Sequence, residues 1–182
     1  MDIAKLKNRE NKVILVNKQN KEIGICLKSE AHKKGKLHKA FSIFIFNSKN
    51  ELLLQRRAKE KYHSGGLWSN TVCSHPKPGE IIENATKIRL VEEMGFSTNL
   101  KELYSFIYKS DYENGLCEHE FDHVFIGYYD KAPTPNPEEV MDYKWITVDD
   151  LKKNIKKNPG DYTSWFKIIL ENKKLFKKIE RT

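Results

Sequence analysis

The sequence predicts an α/β or α+β sandwich in which strands surround a central helix and further helices close the C-terminal end. Three observations carry this. Short β-prone runs recur in pairs around polar turns, one long segment with helical spacing interrupts them and stops at Gly95, and helix-opening signals return only after Thr147. Strands on both sides of a helix, with more helices behind, bury their apolar faces as helices packed on a sheet.

The elements follow in chain order. Lys12 to Asn17 and Glu22 to Lys28 read as strands joined by a polar turn, an N-terminal hairpin. Phe41 to Phe46 and Glu51 to Arg57 form a second hairpin around Asn47-Ser48-Lys49-Asn50. After a Gly-rich loop, Ile81 to Met94 is helical, with Ile81, Ala85, Ile88 and Val91 as its apolar points and Gly95 as its stop. Leu103 to Lys109, Glu118 to Tyr129 and Val140 to Ile146 read as further strands, and Pro133-Thr134-Pro135-Asn136-Pro137 as a loop between two of them. Thr147-Val148-Asp149-Asp150 resembles a capping box with Asp in place of Glu and opens a helix. A last helix is expected from about Ser164 to Lys178, with Ile168, Ile169, Phe176 and Ile179 as its buried stripe. At 182 residues the chain suits one domain, 1–182, because a core of that size buries most of the unfolded surface within one unit.

Composition narrows the function classes. No apolar run approaches the roughly 20 residues of a membrane span, so none is expected. The first ten residues lack the apolar core of a secretory signal and the acid-poor character of a transit peptide, and a cytoplasmic location is expected. Cys26, Cys73 and Cys117 include no CxxC pair, so neither a disulfide framework nor a thiolate zinc cage is signalled. A formal charge of +8 favours anionic partners. Lys152, Lys153, Lys156, Lys157, Lys173, Lys174, Lys177 and Lys178 read as solvated helix faces without interleaved exposed aromatics, so nucleic-acid binding is not expected.

The sharpest cluster of chemistry-bearing residues is His32, His38, His75, Glu118 and Glu120. Residues two apart on a strand share a face, so Glu118 and Glu120 repel unless a cation lies between them. Mixed imidazole and carboxylate ligation suits Mn²⁺, Fe²⁺ or Zn²⁺, and five protein ligands favour an octahedral ion such as Mn²⁺ over tetrahedral zinc. Each of these residues taken singly also fits an ordinary surface or core role. Arg89 and Glu93 lie one helical turn apart, which fits either an exposed salt bridge or a carboxylate holding Mg²⁺ beside phosphate oxygens.

Four stretches carry a family resemblance: Leu37-His38-Lys39-Ala40-Phe41-Ser42, Gln55-Arg56-Arg57-Ala58, Leu67-Trp68-Ser69-Asn70-Thr71-Val72-Cys73-Ser74-His75-Pro76 and Cys117-Glu118-His119-Glu120. In this order they resemble the type I isopentenyl-diphosphate isomerases of the Nudix superfamily, over roughly residues 12 to 170. The central helix is similar to a degraded Nudix box. Glu80, Leu90, Glu92, Glu93, Gly95 and Phe96 match it, while Ser74 replaces its first Gly, Ile88 its Arg and Arg89 the first Glu of its helix. The lost carboxylate argues against diphosphate hydrolysis. A second departure is the six-residue step from His32 to His38, which is seven in some relatives.

The resemblance implies a Nudix-like mixed sheet sandwiched by helices. It also implies that His32, His38, His75, Glu118 and Glu120 hold one divalent metal, Mn²⁺ foremost with Zn²⁺ as the alternative, and that Glu93 holds Mg²⁺ against a substrate diphosphate. Lys28, Arg57, Lys61 and Arg89 match diphosphate-binding positions; Cys73 and Glu120 match the catalytic pair, with Tyr108 and Trp165 nearby. Isopentenyl diphosphate would be isomerised to dimethylallyl diphosphate by protonation and deprotonation, with Trp165 offering a ring face to the transient cation. The implied partner is a small isoprenoid diphosphate, and the implied assembly a monomer or weak homodimer. A Nudix hydrolase using Glu80, Glu92 and Glu93, or a non-catalytic basic module, are the competing readings.

Overall fold

The computed structural model of the protein describes residues 11–112, 115–172 and 175. Their strands are β1 (Lys12–Val16), β2 (Glu22–Leu27), β3 (His38–Phe46), β4 (Glu51–Arg57), β5 (Trp68–Ser69), β6 (Val72–Ser74), β7 (Lys101–Asp111), β8 (Cys117–Tyr128) and β9 (Val140–Thr147). The helices are α1 (Lys28–Lys34), α2 (Ile82–Met94), α3 (Val148–Lys157) and α4 (Ser164–Glu171). None of these helices is long and apolar enough to cross a membrane.

The sheet is mixed and branched. Strand β3 lies antiparallel to β1, β4 and β6 and parallel to β8; β7 continues beyond β8, and β9 pairs with β4. A strand buried on both faces reads as a continuous apolar run, and Phe41-Ser42-Ile43-Phe44-Ile45-Phe46 is such a run. Its alternation feeds two cores. Phe41, Ile43 and Ile45 pack with Ala85, Leu90 and Met94 of α2; Phe44 and Phe46 pack with Leu151 of α3 and Phe166 and Ile169 of α4. The helices thus cover opposite faces of the sheet, as the expected sandwich requires.

Several local signals operate as the sequence implies. Thr147 caps α3 by accepting from Asp150 N at 3.2 Å and donating to Asp150 Oδ2 at 2.8 Å. Gly95 ends α2 at φ 74°, and a Cβ there would lie 2.2 Å from Thr134 Oγ1, so the loop after β8 closes against a residue without a side chain.

Three details differ from the expectation. Ile81, Ile88 and Val91 are exposed, and the face of α2 turned inward carries Ala85, Thr86, Leu90, Glu93 and Met94, because one end of this face serves a polar site. Helix α4 stops at Glu171, where Asn172 turns extended; Leu175 is again helical, and Lys173, Lys174 and 176–182, with Phe176 and Ile179 among them, lie outside the described residues. The second strand ends one residue early, because Lys28 opens α1; this helix has only seven residues and buries only Ala31 and His32, so it offers no apolar periodicity to read.

Phe44 measures the core that supports this arrangement. Its ring is fully buried, 6.1 Å from that of Phe166. Phe44→Ala should lower unfolding free energy by about 3–5 kcal/mol, read as a reduced urea midpoint at unchanged slope. A midpoint shift below about 1 kcal/mol would mean that this layer is not the packed core described.

Candidate active site

Two registers assemble the site. Parallel pairing of β3 with β8 sets His38 opposite Glu120, and antiparallel pairing of β7 with β8 sets Tyr108 opposite the same residue. Antiparallel pairing of β3 with β6 sets Ser42 opposite Cys73. The single buried face of α1 delivers His32, and the turn after β6 delivers His75.

His32, His38, His75 and Glu118 each direct a ligand atom into one space, all within 4.8 Å of one another. His32 Nε2 lies 3.2 Å and His38 Nε2 3.6 Å from Glu118 Oε2. The Nε2 atoms of His38 and His75 face each other at 3.2 Å, and His75 Nε2 lies 2.8 Å from Glu120 Oε1. The six-residue step from His32 to His38 therefore does not keep His32 out of the cluster.

These residues fit a divalent cation. Both ring nitrogens of His32 and Oε2 of Glu118 are buried without a hydrogen-bond partner, a costly arrangement for polar atoms unless another ligand satisfies them. Burial pushes the His32 imidazole down to about 4 and holds His75 well below its usual range, so both rings are neutral and have a lone pair to give. Burial alone would raise Glu118, but hydrogen bonding to the rings of His38 and His63 outweighs it and holds this carboxylate well below its usual range. Burial, reinforced by Glu118 and Asp122, pushes Glu120 the other way, well above the carboxylate range. Two neighbouring carboxylates are thus driven apart in proton affinity, which is how one site keeps an anion and an acid side by side.

Cys73 sits beside this cluster. Its Sγ donates to Asn70 Oδ1 at 2.8 Å and accepts from Trp165 Nε1 at 3.0 Å, and Ser42 Oγ stands 3.7 Å away. Burial, with Asp122 as the next cause, pushes the thiol up to about 12. Tyr108 donates to Glu120 Oε2 at 2.6 Å. Cys73, Glu120, Tyr108, Trp165, Lys28, Arg57, His63, His75 and Glu118 all line one cavity of about 40 Å³.

This small cavity adjoins a wide one of about 600 Å³, and both are lined by Lys28, Ser74 and His75. Lys12, Lys77, Arg89 and Glu139 also line the wide one. Arg89 bridges Glu92 at 2.7 Å and Glu93, while Glu139 pairs with Lys61. Burial lowers Lys61 to about 8 and also lowers Lys28. The Nε atoms of Arg57 and Arg89 are buried without a hydrogen-bond partner. Glu93 is buried and accepts from Gln55 Nε2 at 3.0 Å.

Of the thirteen residues expected from the sequence, Cys73, Glu120, Tyr108, Trp165, Lys28, Arg57, His75 and Glu118 line the small cavity and Arg89 the wide one. His32 and His38 join His75 and Glu118 in the ligand cluster, which does not include Glu120, while Glu93 pairs with Arg89 and Lys61 with Glu139 beside the wide cavity. One face of the Trp165 ring carries the Arg57 guanidinium, 5.2 Å from its centroid, and its N–H edge is directed to Cys73, so Trp165 also orients the thiol. Reading by sequence missed Asp122, although it continues the alternation Glu118-x-Glu120-x-Asp122. Asp122 is fully buried, accepts from Ser42 Oγ at 2.9 Å and is pushed up to about 7 by burial. Asn70, which fixes Cys73, and His63, which lies 2.9 Å from Glu118 Oε1, are loop residues without a periodic signal.

Residues 36–166 match the NUDIX domain family. Two bacterial proteins named isopentenyl-diphosphate Delta-isomerase 2 are similar over most of their length. That of Aromatoleum aromaticum is 48% identical over 89% of this chain and 86% of its own. That of Photorhabdus laumondii is 51% identical over 87% of this chain and 89% of its own. Among solved structures, one from Deinococcus radiodurans superposes with a TM-score of 0.69 at 20% identity, covering 93% of this chain and 98% of the other, which supports the fold alone.

Proposed function

The chain belongs to the isopentenyl-diphosphate delta-isomerases of the NUDIX domain family, and from that premise we propose that it interconverts isopentenyl and dimethylallyl diphosphate in isoprenoid biosynthesis. The observation that carries this reading is the meeting of Cys73 and Glu120 in one small pocket that adjoins a cationic vestibule.

The diphosphate is bound by Lys28 and Arg89 of the vestibule, by Arg57 at the small pocket and by Lys61 beside Glu139, a cluster whose charge is offset only in part by Glu92, Glu93 and Glu139. Lys28 lies at the junction of the two cavities and orients the substrate so that its short hydrocarbon end enters the reactive pocket. The reaction adds a proton to the terminal alkene carbon and removes one from the allylic carbon. Two proton-transfer groups are therefore required, and Glu120 and Cys73 are the pair. Tyr108 holds Glu120 by its Oε2, and Asn70 and Trp165 hold the sulfur. Pre-set orientation of both groups saves the entropy of arranging them in the transition state.

His32, His38, His75, Glu118 and Glu120 would hold Mn²⁺, with Zn²⁺ as the alternative, and Glu93 would hold Mg²⁺. Bound there, these ions would supply a charge that sharpens the acidity of Glu120 and a counter-charge for the diphosphate. Hydrolysis is disfavoured because Arg89 stands where the Nudix box has the first glutamate of its helix, and its guanidinium pairs with both Glu92 and Glu93. Three free cysteines are in keeping with a reducing, cytoplasmic setting, and one domain over 1–182 with a monomeric or weakly dimeric state completes the proposal.

Incubation with isopentenyl diphosphate, Mg²⁺ and Mn²⁺ in D₂O should yield dimethylallyl diphosphate carrying deuterium in its new methyl group, detected by mass spectrometry. Inorganic phosphate or pyrophosphate released without isomerisation would replace this reading with a hydrolase.

A further inference from the structure

We propose that His63 is a positioning residue for the metal centre, binding one oxygen of Glu118 so that the other alone is presented to the cation; this rests on the metal-centre reading above. His63 belongs to the loop between β4 and β5, outside every strand and helix, yet its side chain is only 8% exposed. Its Nε2 lies 2.9 Å from Glu118 Oε1. The other oxygen, Oε2, faces His32 and His38 and has no hydrogen-bond partner. The two oxygens thus have different neighbours, one an imidazole outside the ligand cluster and the other the cluster itself.

A carboxylate with both oxygens free can rotate or bind bidentate, and one with an oxygen already bonded keeps a single direction. Partners of this kind behind a ligand set its orientation and contribute substantially to metal affinity. His63 can do so only if its ring is fixed, and the loop fixes it. The ring packs edge-on to Trp165 at 5.6 Å and against Tyr112 at 5.4 Å, and its Nδ1 is 3.4 Å from Ser64 Oγ. Ser64 takes φ 53°, an uncommon conformation for a residue with a side chain. A Cβ on Gly65 would lie 2.2 Å from Lys59 O, so the loop folds tightly onto its own start.

The same loop contacts cations of the diphosphate-binding proposal: Lys61 pairs with Glu139, which lines the wide cavity. Arg57 donates from Nη2 to the His63 carbonyl at 3.2 Å, and Lys61 lies two residues before His63. One short segment therefore contacts both Glu118 and two of the proposed diphosphate-binding cations.

The test titrates the purified protein with Co²⁺ against a competing chelator and records the visible spectrum, for wild type, His63→Ala and His63→Gln, each with a thermal melt. Gln offers an amide N–H that can replace the ring donor. His63→Ala should weaken Co²⁺ binding about 10- to 100-fold and change the ligand-field bands, with a melt near wild type in the absence of metal. His63→Gln should recover most of the affinity and the wild-type bands. Wild-type affinity and spectrum in His63→Ala would overturn the proposal. So would a His63→Gln protein as impaired as His63→Ala, since His63 would then act as a ligand or as packing. Absence of Co²⁺ binding by wild type would overturn the metal-centre reading itself, a result distinct from both.

Discussion

Cys73→Ala should lower the turnover of isopentenyl diphosphate about 10² to 10⁴-fold, the usual effect of removing a positioned acid-base group. Sγ is held between Asn70 and Trp165 at the wall of the reactive pocket, so alanine removes the transferable proton while leaving Glu120 and its Tyr108 partner in place. The loss should fall on kcat, because Cys73 lines the small pocket and not the vestibule proposed to take the diphosphate. Metal content should be unchanged, and the melting temperature should fall only slightly for one small side chain. Cys26→Ala, at a thiol on the edge strand, should behave as wild type. Near-normal turnover in Cys73→Ala would move the proton-transfer role elsewhere, and a loss explained by unfolding would make this cysteine structural.

His75→Ala and Glu118→Gln should each lose the bound transition metal, and turnover with it, by about 10²-fold or more, since direct ligands matter more than the groups behind them, whose removal already costs 10- to 100-fold. The wild-type protein should melt higher when metal is added, since an ion that binds only the folded chain stabilises it by about 2.7 kcal/mol at 100 times its dissociation constant. Both variants should lack this rise. Elemental analysis and paired melts give the answer, and a stoichiometric metal retained in both variants would dismantle the ligand assignment. The two substitutions complement each other because Glu118→Gln preserves shape, so its loss cannot be assigned to a cavity.

What could be read without coordinates divides along physical lines. The apolar run from Phe41 to Phe46 and the Thr147 cap are local patterns, and both elements form where such patterns place them. Glu118 and Glu120 were legible as a pair because strand periodicity puts them on one face. His32, His38 and His75 join them as candidate ligands by residue type alone, and the family resemblance is what ties them to one centre, since their convergence depends on pairings that no local pattern encodes. The parallel pairing of β3 with β8 is one of these, as is the short helix that buries His32. The inward face of α2 was misjudged because three of its isoleucine and valine positions point outward while Glu93 points in, an inversion of the usual amphipathic rule made by the site. His63 and Asn70 lie on loops, where side-chain direction follows from tertiary closure alone.

The ladder between β3 and β8 also bears on how long a folded molecule survives. His38 and Glu120 are distant along the chain, and bringing them together requires closing a large loop before any compensating contact forms. A cation at this centre therefore has little to grasp until the sheet is nearly complete. Its contribution arrives after the folding barrier, leaving the rate of folding nearly unchanged and slowing escape from the native state. In the cell the centre would then serve as a latch as well as a reagent: a molecule that has lost its ion is both inactive and quicker to open, and so is exposed to proteolytic removal sooner than its loaded counterpart.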